Sequence, residues 1–336
     1  MPNPQSPVPT TARLIDVSPR DGLQNESGVI ATSDKAALCR LLFASGVDEV
    51  EATSFVSPKW VPQLGDAAAL LGMLATREAD GVAPHRPTLS VLVPNEKGMD
   101  QAIEVNRLAL AASGRRVIDK VSVFTSASET FSRKNTNASI EETLTRFVPV
   151  IAAAKREGLY VRGYVSCAIA CPFEGATPAD AAGRVAARLI ELGVDEISLA
   201  DTIGAGSRES ISRMLGEARL ALGSFDRVGR LPLNLHLHDT FGRAAECVRE
   251  ALSLGVVSFD GSVAGLGGCP YASTPGQRAP GNIDMELLVR TIEGEGVTTS
   301  IHASALAEAA AFARGVVAAS RAQAASDGGS GAGASR

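Results

Sequence analysis

The stretch Asp180-Ala-Ala-Gly-Arg-Val-Ala-Ala-Arg-Leu-Ile-Glu-Leu-Gly-Val-Asp-Glu-Ile-Ser-Leu-Ala200 decides the fold. Its first part carries Ala, Leu, Arg and Glu at helical spacing. Its last part, from Val194, is a short β-rich run, and Gly193 marks the joint between them. The same alternation continues in both directions. Strands are predicted at 13–17, 47–53, 88–93, 118–124, 159–166, 194–200, 232–237 and 256–263. Helices are predicted near 33–45, 60–75, 95–112, 140–157, 177–192, 207–222, 240–254 and 284–293. Strands that alternate with helices build a parallel sheet from βα units. Eight such units predict a (β/α)8 TIM barrel in preference to an open doubly wound sheet. Residues 11–300 are read as the barrel and 301–321 as an extra C-terminal helix, outside or beneath it. Residues 1–10 and 322–336 are read by composition as disordered tails.

With 45% hydrophobic and 21% charged residues, the composition excludes a disordered chain. The net charge of −5 leaves no basic excess to neutralise phosphates, so no nucleic-acid partner is expected. No run of 18 apolar residues occurs, so no membrane span is expected. Five cysteines, at 39, 167, 171, 247 and 269, and no secretory or transit leader in Met1–Thr10 predict reduced thiols and a cytoplasmic protein. There is no GxGxxG after the first strand and no P-loop.

Barrel active sites collect at the C-terminal ends of the strands. Strand one runs into Ser18-Pro-Arg-Asp-Gly-Leu-Gln-Asn-Glu26, a polar, turn-forming loop containing Arg20, Asp21 and Gln24. Strand two ends in Glu51-Ala-Thr-Ser54, with a carboxylate where an apolar inward face is expected. Strand seven reads Leu235-His-Leu-His-Asp239, and residues two apart in a strand share a face. Two imidazoles on one face suit a divalent metal. His85 and His302 are read as ordinary loop and helix residues. Strand eight leads into Gly265-Leu-Gly-Gly-Cys-Pro-Tyr-Ala272, where Cys269 is a candidate acid, base or nucleophile. The other four cysteines are read as small buried hydrophobes.

Several segments together resemble the hydroxymethylglutaryl-CoA lyase family. They are Val17–Glu26, Glu51–Gln63, Arg162–Cys167, Glu196–Gly204, His236–Asp239 and Val263–Ala272, in order over roughly 13–293. The resemblance implies a metal-dependent barrel that cleaves 3-hydroxy-3-methylglutaryl-CoA, an acyl-CoA thioester, to acetyl-CoA and acetoacetate. It also implies Mg2+ or Mn2+, and a place in leucine degradation or ketone-body metabolism. A homodimer is compatible with it. Carried over position by position, the metal ligands fall on Asp21, His236, His238 and Asn282. The catalytic arginine falls on Arg20, the active-site glutamate on Glu51 and the loop cysteine on Cys269. Ser54, Ser198, Asp201 and Glu286 fall on positions that line or support the pocket, and Gln24 joins the substrate-binding set.

Lysis next to a hydroxyl needs a base for the hydroxyl proton, positive charge at the developing oxygen, and an acid for the enolate carbon. His236, Asp21 and a shuttle through Glu51 all stand open as the base. Arg20 suits the enolate oxygen and Cys269 the protonation step. Zinc is the second-choice metal for two imidazoles and a carboxylate. This sequence departs from the family between Cys269 and Asn282, where the stretch is longer and holds Arg278, and at Ser18 and Ala200, where glycine is common. A related acyl-CoA with a different 3-substituent is therefore an alternative substrate. A second alternative is an acetyl-CoA-dependent condensing enzyme of the isopropylmalate synthase type.

Overall fold

In the computed structural model, residues 10–75, 87–223, 233–268 and 281–329 are described. Eight parallel strands close a barrel: β1 (Arg13–Asp16), β2 (Glu49–Ser54), β3 (Thr88–Leu92), β4 (Lys120–Ser126), β5 (Tyr160–Ser166), β8 (Glu196–Asp201), β9 (Leu233–Leu237) and β10 (Ser258–Gly261). Between them the chain makes a small antiparallel hairpin, β6 (Ala170–Cys171) with β7 (Gly175–Ala176). Strand β1 pairs with β10 on one side and β2 on the other, so the sheet has no free edge.

The surrounding helices are α1 (Thr32–Ala44), α2 (Ala67–Ala75), α3 (Glu96–Ser113), α4 (Glu129–Thr136), α5 (Ile140–Arg156), α6 (Ala181–Glu191), α7 (Arg208–Leu222), α8 (Ala244–Ser253), α9 (Met285–Gly294) and α10 (Ala303–Gly329). Local chemistry sets their ends. Ser139 caps α5 in a reciprocal capping box with Glu142. Asn95 caps α3, which stops at Gly114 in the left-handed region with φ 73°.

All eight predicted strands are present, with shifted ends. The helix expected over 60–75 forms only from Ala67, because Pro62 interrupts its first half, leaving a 3-10 turn at Pro62–Leu64. The helix expected over 177–192 starts at Ala181, just past Pro178. The hairpin and α4 were not anticipated. The C-terminal helix packs outside the barrel against α1 and continues to Gly329, beyond the expected 321. Arg321 near its end pairs with Glu26 in the loop after β1. Among the described residues no helix is long and apolar enough to cross a membrane.

Two layers of core differ sharply. Between strands and helices the packing is apolar, with Val50, Val121, Val161, Ile197, Leu235 and Phe259 all fully enclosed. Inside the barrel, where branched aliphatics usually dominate, the floor is ionic. Lys120 Nζ lies 2.7 Å from Glu49 and 2.9 Å from Glu196, and Arg162 Nη2 lies 2.5 Å from Glu196. Arg13 also pairs with both glutamates. Such a network adds little net stability over an apolar filling, but breaking one partner costs about 3–5 kcal/mol. It links five strands, β1, β2, β4, β5 and β8, beneath the barrel mouth.

Candidate active site

Strand β1 passes at Val17 into a short π-helical turn, Ser18–Gly22, closed by Gly22 N–H donating to Val17 O at 3.1 Å. Turns of this kind occur often at functional sites. Here the turn brings Arg20 and Asp21 toward the barrel mouth. Arg20 donates through Nε to Glu51 Oε2 at 2.6 Å and through Nη1 to Asp21 Oδ1 at 2.6 Å. Its Nη2 lies 2.5 Å from the same Glu51 oxygen. Gln24 Nε2 donates to Asp21 Oδ1 at 2.9 Å, and Asn282 Nδ2 donates to Asp21 Oδ2 at 2.8 Å.

His236 lies in β9 and His238 immediately beyond it, and their Nε2 atoms face each other at 3.3 Å. His236 Nδ1 meets Asp260 Oδ2, on β10, at 3.0 Å. One donor atom each from Asp21, His236 and His238 lies within 4.8 Å of the others. His238 forms a backbone bridge with Asn282, which brings the amide to the same place.

Charge distribution follows from this packing. Burial opposes ionisation of Asp21, but Arg20 and the two imidazoles outweigh it and hold the carboxyl below its ordinary range. Burial and the neighbouring His236 push His238 down to about 4. For His236, burial acts downward, and the hydrogen bond and charge of Asp260 overcome it, so its affinity for a proton rises.

Two observations test whether these residues suit a metal ion. Asn282 Oδ1 and His238 Nδ1 are buried without a hydrogen-bond partner among the described residues. A buried amide oxygen left unmatched is costly unless something occupies it. A hard cation bound by a carboxylate, an amide oxygen and two imidazoles would satisfy that oxygen, and the donor set fits a divalent ion.

The glycines after β10 allow this closeness. Gly267 has φ 109°, and a methyl group there would sit 2.6 Å from Asn282 Nδ2. Leu266 O accepts from Asn282 Nδ2 at 3.0 Å, and Asn25 Nδ2 reaches Gly268 O at 3.2 Å. At the root of the loop, Asp16 accepts from Ser18 N–H at 2.8 Å and Val263 N–H at 3.1 Å.

The other sequence-predicted residues fall as follows. Glu51 is fully buried and engages Arg20. Ser54 accepts from Val56 N–H at 3.1 Å, and Ser198 accepts from Asn234 Nδ2 at 2.9 Å. Asp201 accepts from the N–H groups of Ala205 and Gly206, and burial pushes its carboxyl up to about 6. Glu286 stands in the first turn of α9, four residues past Asn282. Cys269 and His85 lie outside the described residues. His302 directly precedes α10. Cys39, Cys167, Cys171 and Cys247 are buried and outside any disulfide among the described residues, in keeping with their reading as small hydrophobes.

Sequence reading missed Asp260, Asn234 and Tyr164 beneath His236. The signal for Asp260 was available: it is an acid inside a predicted barrel strand, as Glu51 is.

A closed parallel barrel with two imidazoles, a carboxylate and an amide gathered at its strand ends defines a TIM-barrel enzyme with a candidate divalent-metal centre. The chain belongs to the HMGL-like family, whose model matches residues 11–313. A relative from Danio rerio, "3-hydroxy-3-methylglutaryl-CoA lyase, cytoplasmic", is 43% identical over 91% of this chain and 83% of its own length. The solved structure of the HMG-CoA lyase from Brucella melitensis is 39% identical, with a TM-score of 0.78 over 91% of this chain and 98% of that one. An HMG-CoA lyase from Acinetobacter baumannii, solved with coenzyme A and 3-methylmalate, is 29% identical with a TM-score of 0.78, over 94% and 93%.

Proposed function

We propose that this protein is a carbon–carbon lyase that cleaves 3-hydroxy-3-methylglutaryl-CoA to acetyl-CoA and acetoacetate, with Mg2+ or Mn2+ as its ion. The observation that carries the reading is the convergence of Asp21, His236, His238 and Asn282 beside Arg20, in a chain whose relatives are named as lyases for this substrate. Those relatives do not favour the condensing-enzyme alternative.

A divalent ion held by Asp21, His236, His238 and Asn282 would supply Lewis acidity toward the substrate's hydroxyl and carboxylate oxygens. The chain's own groups carry the remaining work. The hydroxyl proton is assigned to a shuttle through Glu51, whose Oε1 has no hydrogen-bond partner among the described residues, because Arg20 and the imidazoles hold Asp21 ionised and His236 has its Nδ1 engaged by Asp260 and its Nε2 facing His238 and the candidate metal centre. The O–H electrons form the new carbonyl as the bond between the substrate's C2 and C3 breaks, and its pair moves onto the thioester as an enolate. Arg20, held by Glu51, offers a fixed cationic fork beside that developing charge. Cys269 follows Gly268 in sequence and is assigned the proton delivered to C2. Gln24 orients Asp21. Ser54, Ser198, Asp201 and Glu286 are assigned to shaping the pocket. Four buried cysteines that form no disulfide among the described residues suit a reducing compartment, and we place the protein in the cytoplasm.

The test is product analysis with purified protein, Mg2+ or Mn2+, and a panel of 3-substituted 3-hydroxyglutaryl-CoA thioesters. Release of acetyl-CoA and acetoacetate, fastest from the 3-methyl compound, is expected. A faster 3-substituent would reassign the substrate. Condensation of acetyl-CoA with a keto acid, without cleavage, would overturn the lyase reading.

A further inference from the structure

We propose that Asp260 is a positioning residue: it holds His236 in the tautomer whose Nε2 lone pair faces the metal centre, and thereby sets the affinity of that centre for its ion. The inference rests on the metal-site reading above and assigns a role to a residue beside the ligand set that the motifs did not single out.

Asp260 is buried in β10, and its carboxylate meets four groups. Asn234 Nδ2 at 2.8 Å and Arg162 Nη1 at 3.3 Å donate to Oδ1. Tyr164 OH at 3.1 Å donates to Oδ2, which His236 Nδ1 also approaches at 3.0 Å. The amide and the guanidinium can only donate at these atoms, and Arg162 compensates the negative charge. Asp260 therefore acts as acceptor throughout, and the hydrogen shared with His236 sits on Nδ1. That leaves Nε2 with its lone pair, 3.3 Å from His238 Nε2.

The carboxylate has little freedom to move. Arg162 is itself gripped by Glu196, with Nε 2.7 Å from Oε1, and belongs to the ionic floor. Tyr164 also packs edge-on against the His236 ring, with centroids 6.0 Å apart and planes at 85°. The floor thus serves as the support on which the imidazole is aimed. Glu51 is equally buried but directs its Oε2 to Arg20, so it does not perform this task. A carboxylate behind a ligating imidazole fixes the ring and raises its basicity, and losing such a partner typically costs about 10–100-fold in metal affinity.

The experiment is calorimetric titration of metal-free protein with Mn2+ alone, for the parent chain, Asp260→Asn, His236→Gln and the double variant. Melting temperatures of the metal-free proteins are measured in parallel. Asp260→Asn is expected to bind Mn2+ about 10–100-fold more weakly. It should add little further loss in the His236→Gln background, since residues acting through one another are non-additive. Affinity within twofold of the parent chain overturns the proposal. So does an equal loss in both backgrounds, which would mark Asp260 as a residue of the fold alone. If the asparagine variant does not fold, Asp260→Glu serves. It keeps the charge but displaces the oxygens, so a loss of at least tenfold is expected and full affinity contradicts the proposal. Failure of the parent chain to bind Mn2+ removes the metal-site reading itself, an outcome distinct from failure of the Asp260 assignment.

Discussion

Replacing Gly267 with alanine adds one methyl group at the point where the loop after β10 lies against Asn282. The new carbon would stand 2.6 Å from Asn282 Nδ2 and 3.4 Å from Asp21 Oδ2. Ordinary contact begins near 3.4 Å, so the amide or the loop must shift by about 0.8 Å. The backbone compounds this, because φ 109° is a conformation that residues with a side chain rarely adopt, at a cost of about 1–3 kcal/mol. A displacement near 1 Å at a reacting centre costs roughly 10²-fold in rate. Gly267→Ala is therefore expected to lower kcat/KM about 10²-fold and to weaken Mn2+ binding, with a folded barrel by circular dichroism. Gly315→Ala is the control: nothing lies within 4 Å of the added methyl, and in a helix the change is neutral to slightly stabilising. The assay is thioester cleavage at saturating metal, with affinity from calorimetry. Activity within threefold of the parent chain for Gly267→Ala would refute the argument that this contact sets the Asn282 geometry.

Arg20→Lys keeps the charge and Arg20→Gln keeps two amide donors, and both are expected to lower kcat by about 10²–10³-fold while Mn2+ still binds. A change in KM alone would make Arg20 a binding residue. Cys269→Ala should reduce turnover by about 10²–10⁴-fold with little change in KM, and a loss below threefold would exclude it as the proton donor. Asp16 supplies the pH prediction. Burial outweighs its hydrogen bonds and pushes its carboxyl from 3.8 up to about 7, so in that window the native state holds a proton that the unfolded chain releases. Its contribution to stability is complete below about pH 4 and is lost as pH rises through about 7. In urea titrations at pH 5 and 8, Asp16→Asn should lose less stability between the two than the parent chain, by on the order of 1–3 kcal/mol. Equal losses would contradict this.

The barrel was legible because each βα unit carries its own punctuation, as at Leu192-Gly193, and because eight units leave few topologies open. The hairpin Ala170–Cys171 with Gly175–Ala176 was not legible, since two-residue strands show no period. Helix α4 is polar and only eight residues long, too short for a periodic signal. The histidines, Asp21 and Asn282 were found by local motif and by family resemblance, and the structure brings them together. The ionic floor was not foreseen, although Glu49, Lys120, Arg162 and Glu196 all fall in predicted strands. Charges in a barrel interior become interpretable only once closure shows which of them meet. Asp260 stood out as an acid in a predicted strand, but its role depended on closure, which sets it beside Asn234 and His236 of neighbouring β9 and within reach of Arg162 and Tyr164 of β5.

The central claim is that a divalent ion at Asp21, His236, His238 and Asn282 is required for carbon–carbon cleavage. It is tested most directly by stripping the protein with EDTA, verifying metal content, and measuring acetyl-CoA and acetoacetate release from 3-hydroxy-3-methylglutaryl-CoA before and after adding back Mg2+ or Mn2+. The account predicts negligible release from the stripped protein and recovery on adding either ion, with no recovery in His236→Gln at the same concentration. Full cleavage by protein shown to be metal-free would contradict it.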